Sequence, residues 1–212
     1  DLGPLGITAR TLAAVSLNLR AARRALDSST QSILRNFARV EQGNVVFDLG
    51  EIMRQPPEIT RRLLSHVLKW VSSADFAPRR QALENLAQSL REGRKTVLHG
   101  CMISVERDEI RVIREYQAVR GLCAEPGEIW DQRWILYGPV YKGLEVRALG
   151  EGGLLNCPKW RESGQPRDAI MASPGVWSGA ELVAAPHASL SNSWRAELCK
   201  GEDDFFTSVL SH

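Results

Sequence analysis

Near the start of this chain, Leu12, Val15, Leu19, Ala22 and Leu26 recur at alternating steps of three and four. That spacing keeps them on one side of a helix, and Thr8 ahead of them has the hydroxyl of an N-cap. Asp27-Ser28-Ser29-Thr30 is a run of poor helix formers, expected to interrupt the stripe. It resumes at Ile33, Phe37 and Val40 and is expected to end at Gly43-Asn44. The segment reads as one long helix or two in series. A heptad-like stripe of this length packs against another helix or another domain, and burial in the core is the expectation. Val45-Val46-Phe47 has the composition of a short strand. Pro56-Pro57 then opens a helix whose apolar face is Ile59, Leu63, Leu64, Val67, Leu68 and Val71, broken at Ser72-Ser73-Ala74-Asp75. Pro78 opens another with Leu83, Leu86 and Leu90 inward, closed by Gly93.

After Gly93 the pattern changes from a helical period to β-branched runs. Val97 to Val105 and Ile110 to Ile113, separated by Arg107-Asp108-Glu109, predict a β-hairpin. Ala124-Glu125-Pro126-Gly127 is the best linker candidate. Short strands follow around Trp134-Ile135-Leu136 and Leu144-Glu145-Val146-Arg147, and Gly150-Glu151-Gly152-Gly153 reads as a flexible turn. A short helix is predicted after Pro166, then a hairpin pairing Val176-Trp177 with Leu182-Val183-Ala184 around Ser178-Gly179. The stretch holding Asp203-Asp204-Phe205-Phe206 is either a docked helix or a loose tail. The fold class is therefore α+β: a mostly helical N-terminal half followed by a mixed α/β region with β-hairpins. The expected division is a helical region 1–93, a β-hairpin extension of it at 94–123, and a small α/β C-terminal domain at 124–212.

Composition adds a charge asymmetry. The 212 residues are 43% hydrophobic and 25% charged, ordinary for a soluble globular chain. Residues 1–95 hold 15 Lys and Arg against 9 Asp and Glu, whereas residues 96–212 hold 12 against 16. A basic half joined to an acidic half implies a polyanion-facing surface on the first half only. No stretch is long and apolar enough to span a bilayer, and no signal-peptide pattern opens the chain. It begins Asp1-Leu2-Gly3-Pro4 without methionine, as a processed protein or an excised fragment would. The expected location is the cytoplasm, with Cys101, Cys123, Cys157 and Cys199 as reduced, buried thiols too far apart for zinc spacings.

The chemistry to be read from motifs is mostly exclusion. No phosphate-binding glycine loop, H-E-x-x-H or G-x-S-x-G occurs, and His66, His99 and His187 stand apart in sequence. No catalytic residue and no metal site is expected. Trp130 and Trp134 flank Arg133, and Trp160 precedes Arg161; such pairs can stack on unpaired bases, although tryptophan more often fills core. Arg79-Arg80 stand at one end of a predicted helix, with Arg91, Arg94 and Lys95 at its other end, roughly 20 Å away. Together with Arg20, Arg23 and Arg24 on the first helix, they are the candidate RNA-binding residues. A solvated helix exterior would carry the same residues.

Several stretches resemble tRNA(Ile)-lysidine synthases of the PP-loop ATPase group. They are Arg61-Arg62-Leu63-Leu64 through Leu68-Lys69-Trp70-Val71, and Ala77-Pro78-Arg79-Arg80 with Leu83, Leu86 and Leu90. Gly93-Arg94-Lys95-Thr96-Val97-Leu98-His99-Gly100-Cys101 follows, with a hairpin ending Ile113-Arg114-Glu115. Pro174-Gly175-Val176-Trp177-Ser178-Gly179 and Leu182-Val183-Ala184-Ala185-Pro186 then resemble the end of the family's C-terminal region. The likeness rests on the order and spacing of soft motifs across roughly residues 5–187. It implies an enzyme that uses ATP, with magnesium, to join lysine to the wobble cytidine of an isoleucine tRNA through an adenylated intermediate. The family's S-G-G-x-D-S loop has no counterpart, since the sequence contains no Ser-Gly-Gly. The resemblance therefore implies a downstream half that handles tRNA, is inactive alone, and holds no cofactor itself. Expected partners are tRNA and the missing N-terminal catalytic domain, with a homodimer as a further candidate and no membrane. Two alternatives stay open: the substrate-binding part of another PP-loop tRNA-modifying ligase, and a non-catalytic helical interaction module.

Overall fold

A computed structural model describes residues 7–210; the opening Asp1-Leu2-Gly3-Pro4 lies outside them. Helix α1 runs unbroken over Ala9–Phe37. Thr8 caps it reciprocally: its hydroxyl accepts from the Thr11 amide, and the Thr11 hydroxyl accepts from the Thr8 amide. The break expected at Asp27–Thr30 does not occur. Asp27 is buried and receives Arg62 at 2.5 Å and Arg23 at 3.6 Å. The Thr30 hydroxyl donates to the Leu26 carbonyl at 2.8 Å, the back-bond that lets threonine stay within a helix. Side chains that would compete with the helix backbone are thus engaged without disturbing it.

The helix ends sooner than the apolar stripe implies, because Val40 belongs to strand β1 (Ala38–Glu41). The chain turns at Gln42-Gly43 into β2 (Asn44–Asp48), with φ of 49° and 76° at the two turn residues, the type I′ pattern of a tight hairpin. Gly43 is a hairpin residue rather than a helix stop. A Cβ there would also come within 2.6 Å of the Trp134 ring.

A short helix α2 (Leu49–Met53), capped by the Asp48 carboxylate, has no signature in the hydrophobic pattern. Helix α3 (Pro57–Ser72) buries the whole predicted face from Ile59 to Val71 and stops where Ser73 turns left-handed. Helix α4 (Arg80–Arg91) buries Leu83, Leu86 and Leu90. It closes in a Schellman motif, with the Gly93 amide on the Leu90 carbonyl and the Arg94 amide on that of Ser89.

The predicted hairpin after Gly93 gains a strand. Residues 97–105 divide into β3 (Thr96–Leu98) and β4 (Cys101–Glu106) at a His99-Gly100 turn, and β5 (Glu109–Arg114) follows. These strands and the β1–β2 hairpin form one antiparallel sheet, ordered β1-β2-β5-β4-β3. Its core packs Val45, Phe47, Ile103 and Val112 against Leu63, Val67, Leu68 and Leu86 of the helices and Leu34 of α1. Each such side chain contributes about 1.5–3 kcal/mol on leaving water.

The remainder comprises α5 (Tyr116–Val119), β6 (Cys123–Ala124), β7 (Ile129–Trp130), β8 (Trp134–Tyr137) and β9 (Leu144–Ala148). It continues through α6 (Gly150–Leu155), α7 (Arg167–Met171), β10 (Pro174–Ser178), β11 (Glu181–Ala184), β12 (Arg195–Leu198) and α8 (Glu202–Thr207). Two antiparallel sheets result, ordered β11-β10-β9-β6 and β12-β8-β7, around a core rich in tryptophan: Trp130, Trp134 and Trp194. The glycine run expected as a flexible turn is helix α6. Gly153 is needed there for closeness, since a Cβ would lie 2.9 Å from Trp177. Helix α8 resolves the open question at the end of the chain. It docks back on the first core, with Phe205 fully buried 5.1 Å from the Trp70 ring and 5.2 Å from that of His66. The architecture is α+β throughout, and among the described residues no helix is long and apolar enough to cross a membrane.

Arg133 sits where the two cores meet. It is buried, its guanidinium donates to the Gly43 carbonyl at 2.5 Å, and it lies 5.4 Å from the Trp70 ring centroid and 5.9 Å from that of Trp134. Burial lowers its pKa to about 10, so it stays charged at neutral pH and is held by ring faces and a carbonyl. Trp130 and Trp134 are core residues, leaving no open face for base stacking.

Candidate nucleic-acid interface

The seven arginines and one lysine singled out from sequence are all exposed, and they fall into three sets. Arg20, Arg23 and Arg24 lie on α1. Arg79 and Arg80 begin α4, where Arg80 pairs with Glu84 at 2.9 Å. Arg91, Arg94 and Lys95 lie at its far end, roughly 17 Å away at ~1.5 Å per residue. Two of these three are engaged: Arg94 with Glu92 at 2.5 Å and Lys95 with Asp168 at 2.7 Å.

A stronger cationic feature lies between α1 and α3. A cleft of about 350 Å³ is lined by Arg23, Asp27 and Thr30 of α1, by Arg61, Arg62, Ser65, His66 and Lys69 of α3, and by Ala77 and Val209. A second hollow of about 260 Å³ shares His66 and Lys69 as a common wall and adds Lys200 and Asp204. Arg79 and Arg80 follow Ala77 closely in sequence but are not among the residues that line the cleft. Of the sequence candidates, Arg23 is in its wall.

Charge accounting shows why the cleft is positive. Asp27 is shared by Arg23 and Arg62, and Glu58 is shared by Arg61 and Arg62 at 2.6 and 2.9 Å. Three guanidiniums therefore share two carboxylates in ion pairs, with Glu84 acting on Arg61 from further off; Lys69 and Lys200 form no ion pair among the described residues, although Asp204 lines the second hollow with them. Hydrogen bonding from Arg61 holds the Glu58 carboxyl at a pKa of about 2, against a smaller opposing effect of burial and with further help from Arg62. The same bond raises the Arg61 pKa. Arginines anchored in this way on one edge keep N–H groups for a phosphate on another, at little cost in side-chain entropy.

The thiols divide. Cys101 and Cys157 are buried as expected, the former pushed up to about 12 by burial, but Cys123 and Cys199 are exposed. His187 packs edge-on to Trp134, with ring centroids 4.6 Å apart, and burial lowers its pKa to about 4. It is a structural histidine of the second core.

No family model matches the chain. A comparison with characterised proteins finds a tRNA(Ile)-lysidine synthase of Ruegeria pomeroyi (strain ATCC 700808 / DSM 15171 / DSS-3). It is 46% identical over 211 residues, all of this chain and 50% of that protein. Over its whole length the chain is therefore similar to part of a tRNA(Ile)-lysidine synthase. The chain spans half the length of the relative it matches, the C-terminal half.

Arg61, Arg62 and Lys69 were not among the site residues expected from sequence. A signal was present: Arg61, Ser65 and Lys69 recur every fourth residue, a polar line beside the apolar face of α3. What no local pattern shows is that α1 brings Arg23 and Asp27 against that line, 35 residues away from Arg62.

Proposed function

We propose that this chain is the tRNA-holding half of a tRNA(Ile)-lysidine synthase, inactive alone, working with a preceding half that joins lysine to the wobble cytidine. The observation that carries the reading is the α1/α3 cleft, a built cationic wall on a chain that matches such an enzyme over its whole length. Its arginines suit phosphate oxygens, and Lys69 and Lys200 add two positive charges against the single carboxylate of Asp204 in the adjoining hollow. Arg79 and Arg80 at the start of α4 add to the basic surface, and Arg91, Arg94 and Lys95 are its outlying part. Cytidines are common, so the tRNA body must be selected by shape and backbone contacts, and a bonding centre elsewhere needs such a holder.

ATP and magnesium belong, in this reading, to the preceding half. The residues here do not fit them. The sequence has no Ser-Gly-Gly loop, its one glycine cluster is packed into α6, and the described residues offer no group of three His, Cys, Asp or Glu side chains around a common point. Cellular location follows the substrate, in the cytoplasm.

The test is tRNA binding across a salt series, with Arg61→Gln, Lys69→Gln and Arg79→Gln made singly and together. Each substitution is expected to weaken binding and to flatten the slope of log affinity against log salt by about one unit or slightly less. Affinity and slope unchanged in the triple variant would overturn the assignment of this cleft.

A further inference from the structure

From Ala9 to Ala25, every residue of α1 is exposed, including Leu12 at 59%, Val15 at 53% and Leu19 at 65%. This half of the helix projects roughly 25 Å at ~1.5 Å per residue. A helix of this length without tertiary contacts is marginal in water, and contiguous exposed apolar surface on a soluble domain marks an interaction site. Leu12, Val15 and Leu19 line one shallow concave surface together with Arg20 and Arg23. Leu26, Ile33 and Leu34, further along the same helix, pack into the first core.

The occupant can be chosen by charge and by chain order. Residues 7 to 26 contain Arg10, Arg20, Arg23 and Arg24 and no Asp or Glu. Two copies placed stripe to stripe would bring like charges together along both flanks, with no carboxylate to offset them. The relative has a further half of equal length ahead of the matched region, and α1 is the element nearest to it in sequence. We infer that the Leu12–Val15–Leu19 face of α1 is the docking surface for that preceding half, which covers it with an apolar groove rimmed by carboxylates facing Arg10, Arg20 and Arg24. The inference rests on the correspondence to half of a larger enzyme and is independent of the basic cleft. α1 thereby joins the two functions in one rigid element: its first half docks the bond-making part, and its second half forms a wall of the proposed tRNA cleft.

The experiment is hydrogen exchange over residues 9–25, without tRNA, in the 212-residue chain and in the full protein containing the preceding half. Exchange is expected to slow on the order of 100-fold in the full protein. The triple variant Leu12→Ser, Val15→Ser, Leu19→Ser in the full protein should restore rapid exchange there. Unchanged exchange in α3 will show that the body of the chain is intact, since these side chains take no part in its core. Equal exchange in both proteins would overturn the proposal. So would protection in the 212-residue chain that rises with its concentration alongside a sedimenting dimer, which would make a second copy the occupant.

Discussion

The two halves of α1 obey one spacing rule and have opposite fates. Leu12, Val15 and Leu19 face water, whereas Leu26, Ile33 and Leu34 are packed against α3 and the five-stranded sheet. The heptad period states only that a face is to be covered; it does not say by what. Polar detail separates the halves. The embedded half carries Asp27 and Thr30, which are buried and partnered, and the projecting half carries arginines without acids. The expectation that the whole stripe lies in the core holds for Leu26 and Ile33, which pack against it, and fails for Leu12, Val15 and Leu19 and for Phe37, which are exposed.

The comparison can be sharpened by deletion of like side chains. Leu34→Ala, at a fully buried position, should cost about 2–5 kcal/mol in urea unfolding of this chain, with the range set by how far the site collapses. Leu19→Ala on the same helix should change stability by no more than about 0.5 kcal/mol. Similar costs at both positions would mean that the projecting half is already packed.

Acid should loosen only the embedded half. Glu58, at the base of the arginine cluster beside Asp27, has a folded pKa lowered to about 2. Its contribution is complete above the ordinary carboxylate value and is lost as pH falls through about 2. Between pH 4.5 and 2, the parent should lose on the order of 1 kcal/mol more stability than Glu58→Gln, a figure already reduced for the solvent exposure of the pair. Equal acid profiles for the two proteins would remove this pair from the account.

The most local effect is expected at the cap. Thr8→Ala removes one partner of the Thr8–Thr11 box and should cost at most about 1 kcal/mol, confined to the first turns. It should quicken amide exchange near the start of α1 and leave the urea midpoint where it was.

Much of the fold was legible in the sequence because local pattern and tertiary burial agree there. Ile59 to Val71 form one apolar face and are buried as one; Gly93 stops α4 in the conformation glycine favours; Ser178-Gly179 begins the turn of the β10–β11 hairpin. The misreadings arose where distant residues decide. Asp27 looked like a helix breaker until Arg62 was placed against it. Val40 continued a helical period but is recruited by the β1–β2 hairpin. Gly150 to Gly153 looked loose, although Trp177 and Leu149 pack tightly against Gly153. The candidate interface was partly legible for the same reason: the basic half and Arg23 could be read from composition and spacing, but the cleft exists only because α1 crosses α3.

The most direct test is photochemical crosslinking of tRNA to this chain, with the crosslinked peptides identified by mass spectrometry. Adducts on the α3 segment from Arg61 to Lys69, on the α1 segment around Arg23, and near Lys200 are the predicted result. Crosslinks confined to the far end of α4 or to residues 124–190, or none at low salt, would contradict it.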